Sequence, residues 1–185
     1  VIGVQIGMEA SVEMLAANPQ DGLLVGVVVA SGDPEETIDP RDIEKIAVMG
    51  RVSDRLNLPG GTVQATVQGI QRIRLKAVRE SDGYFTADVV PARERPASEK
   101  EAQELIARTL HVLEALAAEV ERIPREVPRI LRMNLADPGR FADLVATLTN
   151  FSVASKDQVL QRLSVRDRLQ FALNELEGQL RRVRE

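Results

Sequence analysis

Leu58-Pro59-Gly60-Gly61-Thr62-Val63 runs on through Gln64-Ala65-Thr66-Val67-Gln68-Gly69 to Ile73-Arg74-Leu75, and this stretch decides the fold of the first half of the chain. Pro-Gly-Gly is a turn signal, because proline presets φ and glycine reaches positive φ without a clash. Beyond it Val63, Ala65 and Val67 alternate with Gln64, Thr66 and Gln68, the period of a half-buried strand. Gly69 breaks the alternation, so a bulge or a close backbone approach is expected there. Ile73 and Leu75 resume the apolar face, which leaves Arg72, Arg74 and Lys76 together on the other. Three cations in a row can bind phosphate or an acidic partner, but the solvated face of a one-sided sheet explains them as well.

Outward from this turn the strands continue. Ile46 to Leu58 leads into it, and Asp82-Gly83 is a hairpin turn from which Tyr84 to Val90 returns. Further upstream, Leu23 to Ala30 is apolar throughout and reads as a central strand. Gly7 to Ala17 has helical spacing at Met8, Val12 and Leu15, and Asn18-Pro19 ends it. Ser31 to Pro40, with its acidic residues and two prolines, reads as a solvated loop. Short strands joined by tight turns predict a small twisted barrel or sandwich.

Pro91 to Pro96 marks a boundary, after which the pattern is helical. Ser98 and Glu101 form a capping box. Ile106, Leu110, Leu113, Ala117 and Val120 follow at helical spacing, and Pro124 stops the run. Asp137-Pro138 places an N-cap before a proline at the first helical position, and Phe141, Leu144, Val145 and Leu148 give that helix its stripe. Ser155 with Gln158 is a second capping box, and Ser164 with Asp167 a looser one. The last helix carries Val165, Leu169, Leu173, Leu176, Leu180 and Val183, with Arg181, Arg182 and Arg184 at the negative end of its dipole. The expectation is an α+β chain: a β-rich subdomain over 1–95 and a helical bundle over 96–185 ending in a long helix.

The same residues exclude a good deal. Without cysteine there is no disulfide framework, thiolate zinc site or cysteine nucleophile. A net charge of −4 and few aromatics argue against nucleic acid as a partner. No apolar run approaches the ~20 residues of a membrane span. None of Lys45, Lys76, Lys100 and Lys156 follows a glycine-rich turn, so ATP hydrolysis by a P-loop is not expected. Ser155-Lys156 is the one adjacent Ser–Lys pair, and neighbours at a helix start diverge rather than form a dyad. His111 alone cannot build a metal site. Glu35, Glu36 and Asp39 lie in a loop offering neither held geometry nor shifted pKa for acid–base work. The chain opens on Val1 with no leader segment and reads as a piece of something longer.

Taken in order, several strings resemble one family, the N-terminal domain of Lon ATP-dependent proteases. The Leu58–Val63 turn and Val67-Gln68-Gly69-Ile70-Gln71-Arg72 are similar to its "leucine-proline-aspartate-glycine-threonine" and "valine-glutamate-glycine-leucine-glutamine-arginine" segments. Asp42, with the strand reaching Gly50, matches the segment before that hairpin. Ile123-Pro124, Asp137-Pro138 and Phe141-Ala142-Asp143 resemble the helical half, and Lys156 to Leu169 its "lysine-glutamine … arginine-leucine" segment. Departures are Met8 in place of arginine and Gln68 in place of glutamate. The family opens with a "proline-leucine-arginine" strand and a "phenylalanine-proline-glycine" turn, and this chain starts after both, so a first strand is expected to be missing.

The resemblance implies a PUA-like β subdomain followed by a helical bundle. It implies a parent that is a cytoplasmic, hexameric AAA+ serine protease, with ATP and magnesium used by the parent and no cofactor or metal in this piece. Its partners would be unfolded or misfolded proteins, with self-association in assembly. Asp42, Gly50, Pro59, Gly61, Gly69, Arg72, Pro124 and Asp137 are then motif residues with structural roles. Capture of exposed apolar segments suits flexible methionines and exposed apolar surface, which nominates Ile2, Met8 and Met14. Apolar residues at helical spacing more often belong to a core. The alternatives are a stand-alone interaction protein of the same domain type and a PUA-like RNA-binding module, the latter by fold analogy alone.

Overall fold

The computed structural model describes residues 1–29, 38–120, 123–124 and 126–185. The chain divides into two compact units, Val1–Ala92 and Arg93–Glu185. The first is an antiparallel sheet with one helix and the second is helical, so the α+β class expected from the sequence holds.

In the first unit the strands are β1 (Ile2–Ile6), β2 (Leu23–Val27), β3 (Ile46–Asn57), β4 (Val63–Ser81) and β5 (Tyr84–Pro91), with helix α1 (Glu9–Ala17) between β1 and β2. The sheet order is β1-β4-β3-β2, and β5 also pairs with β4. β3 lies along β4 from Val63 to Arg74. On the opposite edge β1 covers Val63 to Val67 and β5 covers Ile73 to Ser81. The sheet is open, not a closed barrel: among the described residues β1 and β2 each pair with a single strand. β1 itself went unread in the residue pattern, since five residues alternating through Gly3 and Gln5 carry little signal.

The turns follow their chemistry. Gly60 and Gly61 have φ of 88° and 79°, and Leu58 N–H donates to the Thr62 carbonyl at 2.8 Å to close the loop. Asp82 and Gly83 both have positive φ, as a two-residue hairpin of the first primed type requires. The expected bulge is at Gly69. Gly50 lies opposite Gly69 and Met49 opposite Gln71, so Ile70 is the extra residue of β4. A second irregularity in β3, between Ser53 and Leu56, centres on Asp54 with φ of 50°. The strand expected over Leu23–Ala30 ends at Val27, and Ala30, Glu35 and Glu36 lie outside the described residues.

In the second unit the helices are α2 (Glu99–Glu119), α3 (Val127–Arg132), α4 (Pro138–Leu148), α5 (Val153–Gln161) and α6 (Val165–Arg184). α2 packs chiefly on α6, which also holds α4. Their apolar stripes form one core that includes Leu113, Leu116, Phe141, Leu169, Leu173 and Leu176. Ser98 caps α2 by accepting from Glu101 N–H, and its hydroxyl donates to the Glu101 carboxylate at 2.6 Å. That bond is the first cause holding the Glu101 carboxyl below the usual carboxylate range, with Arg166 adding to it.

Asp137 and Ser164 cap α4 and α6 as expected. The cap of α5 is Ser152, which accepts from Ser155 N–H, not Ser155 as the sequence suggested. The short α3 was not foreseen. Six residues with Pro128 in the first turn give too little periodicity to read.

Arg168 is the unexpected core residue. It sits in the apolar stripe of α6 at 0% exposure. Its guanidinium is satisfied by Glu94 Oε1 at 2.8 Å, the Arg162 carbonyl at 2.9 and 3.1 Å, the Gly139 carbonyl at 3.4 Å and Asp143 Oδ1 at 3.5 Å. A buried cation is tolerable only when paired and hydrogen-bonded in this way.

Candidate functional site

The first unit carries an open apolar groove of about 670 Å³. β1 contributes Ile2, α1 contributes Met8 and Met14, β2 contributes Leu24 and Val27, and β3 contributes Met49. Among the described residues no lining residue is charged; the polar ones are Ser11, Asn18, Tyr84 and Thr86. Behind it, Leu15 anchors α1 against Val52, Val63, Ala65 and Val67. Ala47, Ile73 and Leu75 form a second small cluster.

All three residues nominated from the sequence meet here. Ile2 is 63% exposed and Met8 40%, so neither is a core residue, while Met14 is half-buried. Reading one helix and its flank missed Leu24, at 53% exposure, and Val27, at 46%. An all-apolar strand is taken for a central one unless its pairing is known, and β2 is an edge strand. Met49 lies on the central strand β3, and its place in the groove depends on the pairing of β3 with β2. Three of the four methionines of the chain therefore line one groove. Their unbranched, polarizable side chains can re-pack around differently shaped ligands.

α1 is held over the sheet by a residue the sequence reading passed over. The irregularity at Asp54 aims Arg55 at the C-terminal end of α1. There its guanidinium donates to the carbonyls of Leu15 at 3.1 Å, Asn18 at 2.6 Å and Gln20 at 3.0 Å. α1 has no basic residue in its last turn, so β3 supplies the cation that its unpaired carbonyls favour. An Asp-Arg pair interrupting a strand pattern was the available signal.

The motif residues sit at structural positions. Gly50 is buried in β3, where an added Cβ would stand 2.8 Å from Val67 Cγ1. Pro59 and Gly61 make the β3–β4 turn, and Gly69 lies at the bulge. Arg72 is half-buried and already engaged by other groups, whereas Arg74 and Lys76 are exposed. Asp42 is exposed in a 3-10 turn, Pro40–Ile43. Pro124 accepts from Val127 N–H just before α3, and Asp137 accepts from Arg140 N–H.

Candidates for chemistry do not come together. The Ser155 hydroxyl donates to Glu175 at 2.8 Å, and Lys156 is exposed. His111 is exposed on α2, and the described residues hold no group of three or more His, Asp or Glu able to bind a metal. Asp39 does have a held geometry, contrary to expectation. It caps the 3-10 turn and pairs with Arg41 at 2.6 Å. The Arg41 hydrogen bond lowers its carboxyl to about 2, which makes it a poorer proton carrier at neutral pH. No helix among the described residues is long and apolar enough to cross a membrane.

Comparison with known proteins matches this architecture. Residues 1–178 fit the family described as the ATP-dependent protease La (LON) substrate-binding domain. The Lon protease of Dictyoglomus thermophilum is 30% identical over 170 residues, covering 92% of this chain and 21% of that protein. The Lon protease of Escherichia coli K12 is 26% identical over 180 residues, covering 97% and 23%. The chain thus spans about a fifth of the length of the curated relatives it matches. Among solved structures, the N-terminal domain of Mycobacterium avium complex Lon protease aligns with a TM-score of 0.66 at 20% identity, over 95% of this chain and 89% of that one. The Lon N-terminal domain protein from Xanthomonas campestris aligns at 0.54 and 17% identity, over 94% and 88%. Sheet, helical unit and ordered motifs agree with the family match, and the chain belongs to the Lon substrate-binding domain family.

Proposed function

We propose that this domain is a non-catalytic capture module that holds exposed apolar segments of unfolded or misfolded proteins in the groove of its first unit. The observation that carries this reading is the lining itself: among the described residues it is uncharged, open and partly exposed, and it includes three methionines. Such a surface binds weakly and without strict sequence preference, because it offers apolar area with few fixed polar contacts. The parent is an ATP-dependent serine protease of the cytoplasm. ATP and magnesium are used by the parent, not by this chain.

The test is an NMR titration with a reduced and alkylated, permanently unfolded protein. Shifts are expected at Ile2, Met8, Met14, Leu24 and Met49. The double substitution Met8→Asp with Leu24→Asp should weaken binding about tenfold, or about 1.4 kcal/mol, without loss of folding, since both side chains are exposed. Shifts confined to the helical unit, or none at high concentration, would overturn the reading.

Support for hexamer assembly completes the proposed role. The α6 stripe is buried in its own bundle from Val165 to Leu176, and Val183 in the last turn is 45% exposed. Self-association of this chain would rest on that far end. Sedimentation of a strict monomer across concentration would locate assembly in other parts of the parent.

A further inference from the structure

We propose that the captured segment is bound extended, as an added strand along the free edge of β2; this rests on the groove being the capture site. Among the described residues β2 pairs with β3 alone, so alternate N–H and C=O groups of its outer edge have no strand partner. Exposed edges are ordinarily guarded by charge, proline or a bulge, because they template pairing with other chains. β5 follows that rule, with Asp88 paired to Arg79 and Pro91 at its end. β2 does not. Leu23-Leu24-Val25-Gly26-Val27 has no charge and no proline, and Leu24 and Val27 are each about half exposed. β1, the strand at the other end of the sheet order, is likewise uncharged, and both strands line the groove.

An unguarded apolar edge beside an apolar groove selects an extended ligand. The edge supplies backbone hydrogen bonds whatever the sequence, and the groove takes every second side chain. Five residues at about 3.3 Å each give an edge of ~17 Å, the length of a five- or six-residue strand. The favoured ligand is therefore a short polypeptide segment with apolar residues at alternate positions. A helix of the same composition cannot offer its backbone.

The experiment uses the whole chain and a fluorescent six-residue peptide with alternating valine and threonine. Three forms are compared: unmodified, N-methylated at the odd residues, and N-methylated at the even residues. Pairing on one edge uses the N–H of every second residue. One methylated form should therefore lose binding at least tenfold while the other binds as the parent peptide does, and the β2 amides that face away from β3 should exchange more slowly when peptide is bound. Equal behaviour of the two methylated forms overturns strand addition and leaves groove capture standing. Failure of all three peptides together with the unfolded protein removes both readings. Outward-facing β2 amides already protected in the free protein would mean that the edge is satisfied within the molecule or by a second copy. Either of these also overturns the proposal, and sedimentation separates them.

Discussion

A methyl group added at Gly50 would stand 2.8 Å from Val67 Cγ1 and 3.3 Å from Val27 Cγ2. Both neighbours are β-branched and stiff at χ1, so the strand must shift to make room. Gly50→Ala is expected to cost about 1–3 kcal/mol of stability, read from chemical denaturation, and to disturb the groove through Val27. Arg55→Ala should release α1, leaving three carbonyls without their donor. Amide exchange would speed up from Met14 to Asn18 while the sheet stays protected. Asp39 gives a purely electrostatic test. Its folded pKa of about 2 lies below the usual 3.8, so its contribution is present above the usual value and lost as pH falls toward 2. In Arg41→Ala the Asp39 midpoint should rise toward the ordinary carboxylate range by NMR titration but stop short of it, because the backbone N–H of residue 41 still donates to the carboxylate. Glycine at a turn or bulge was legible because its conformational reason is local. Arg55 was not, because its partners are set by a strand irregularity; Asp39 was not, because a carboxylate in a loop pattern carries no sign that the turn two residues on will hold it.

Capping shows what a sequence rule can and cannot locate at the scale of an element. Ser98, Asp137 and Ser164 were read correctly, since each precedes its helix by the spacing that lets an oxygen accept from the third N–H. In α5 the spacing of Ser155 and Gln158 fits a capping box, yet it falls three residues after the true cap. Ser152 caps instead, with Ser155 at the third helical position and its hydroxyl turned to Glu175. Ser152→Ala should cost about 1 kcal/mol, whereas Ser155→Ala should cost less, because the partly buried Glu175 can turn to water. Arg168 marks a different limit. Helical periodicity put an arginine in the buried stripe of α6, and only the arrangement of Glu94, Gly139, Arg162 and Asp143 explains why it is tolerated. Replacing it by alanine should destabilise the helical unit by about 3 kcal/mol, the lower end for a broken buried pair, since Glu94 and Asp143 remain partly hydrated.

Across the whole molecule, the two units bury very different amounts of apolar surface. The helical unit has one continuous core running from Ala102 to Leu176. The sheet unit has two small clusters, around Val52 and Ile73, with much of its apolar side chain area in an open groove. Stability scales with apolar area removed from water, so the sheet unit should be the weaker. The pattern changes period after Pro91–Pro96, and the compact units divide between Ala92 and Arg93; the open sheet was not legible, because strand order is set by pairings that no local pattern encodes. Thermal unfolding is expected to proceed in two transitions, the first losing strand signal and the second losing helix. A fragment of residues 93–185 should reproduce the second transition alone. Ligand bound only to the folded groove stabilises by mass action, so peptide should raise the first midpoint and leave the second where it is. Arg168→Ala should do the converse, lowering the second midpoint only. A single transition in which both substitution and peptide move every probe together would mean that the units share their stability. The groove could then not loosen and re-pack around a ligand without unfolding the helical unit as well.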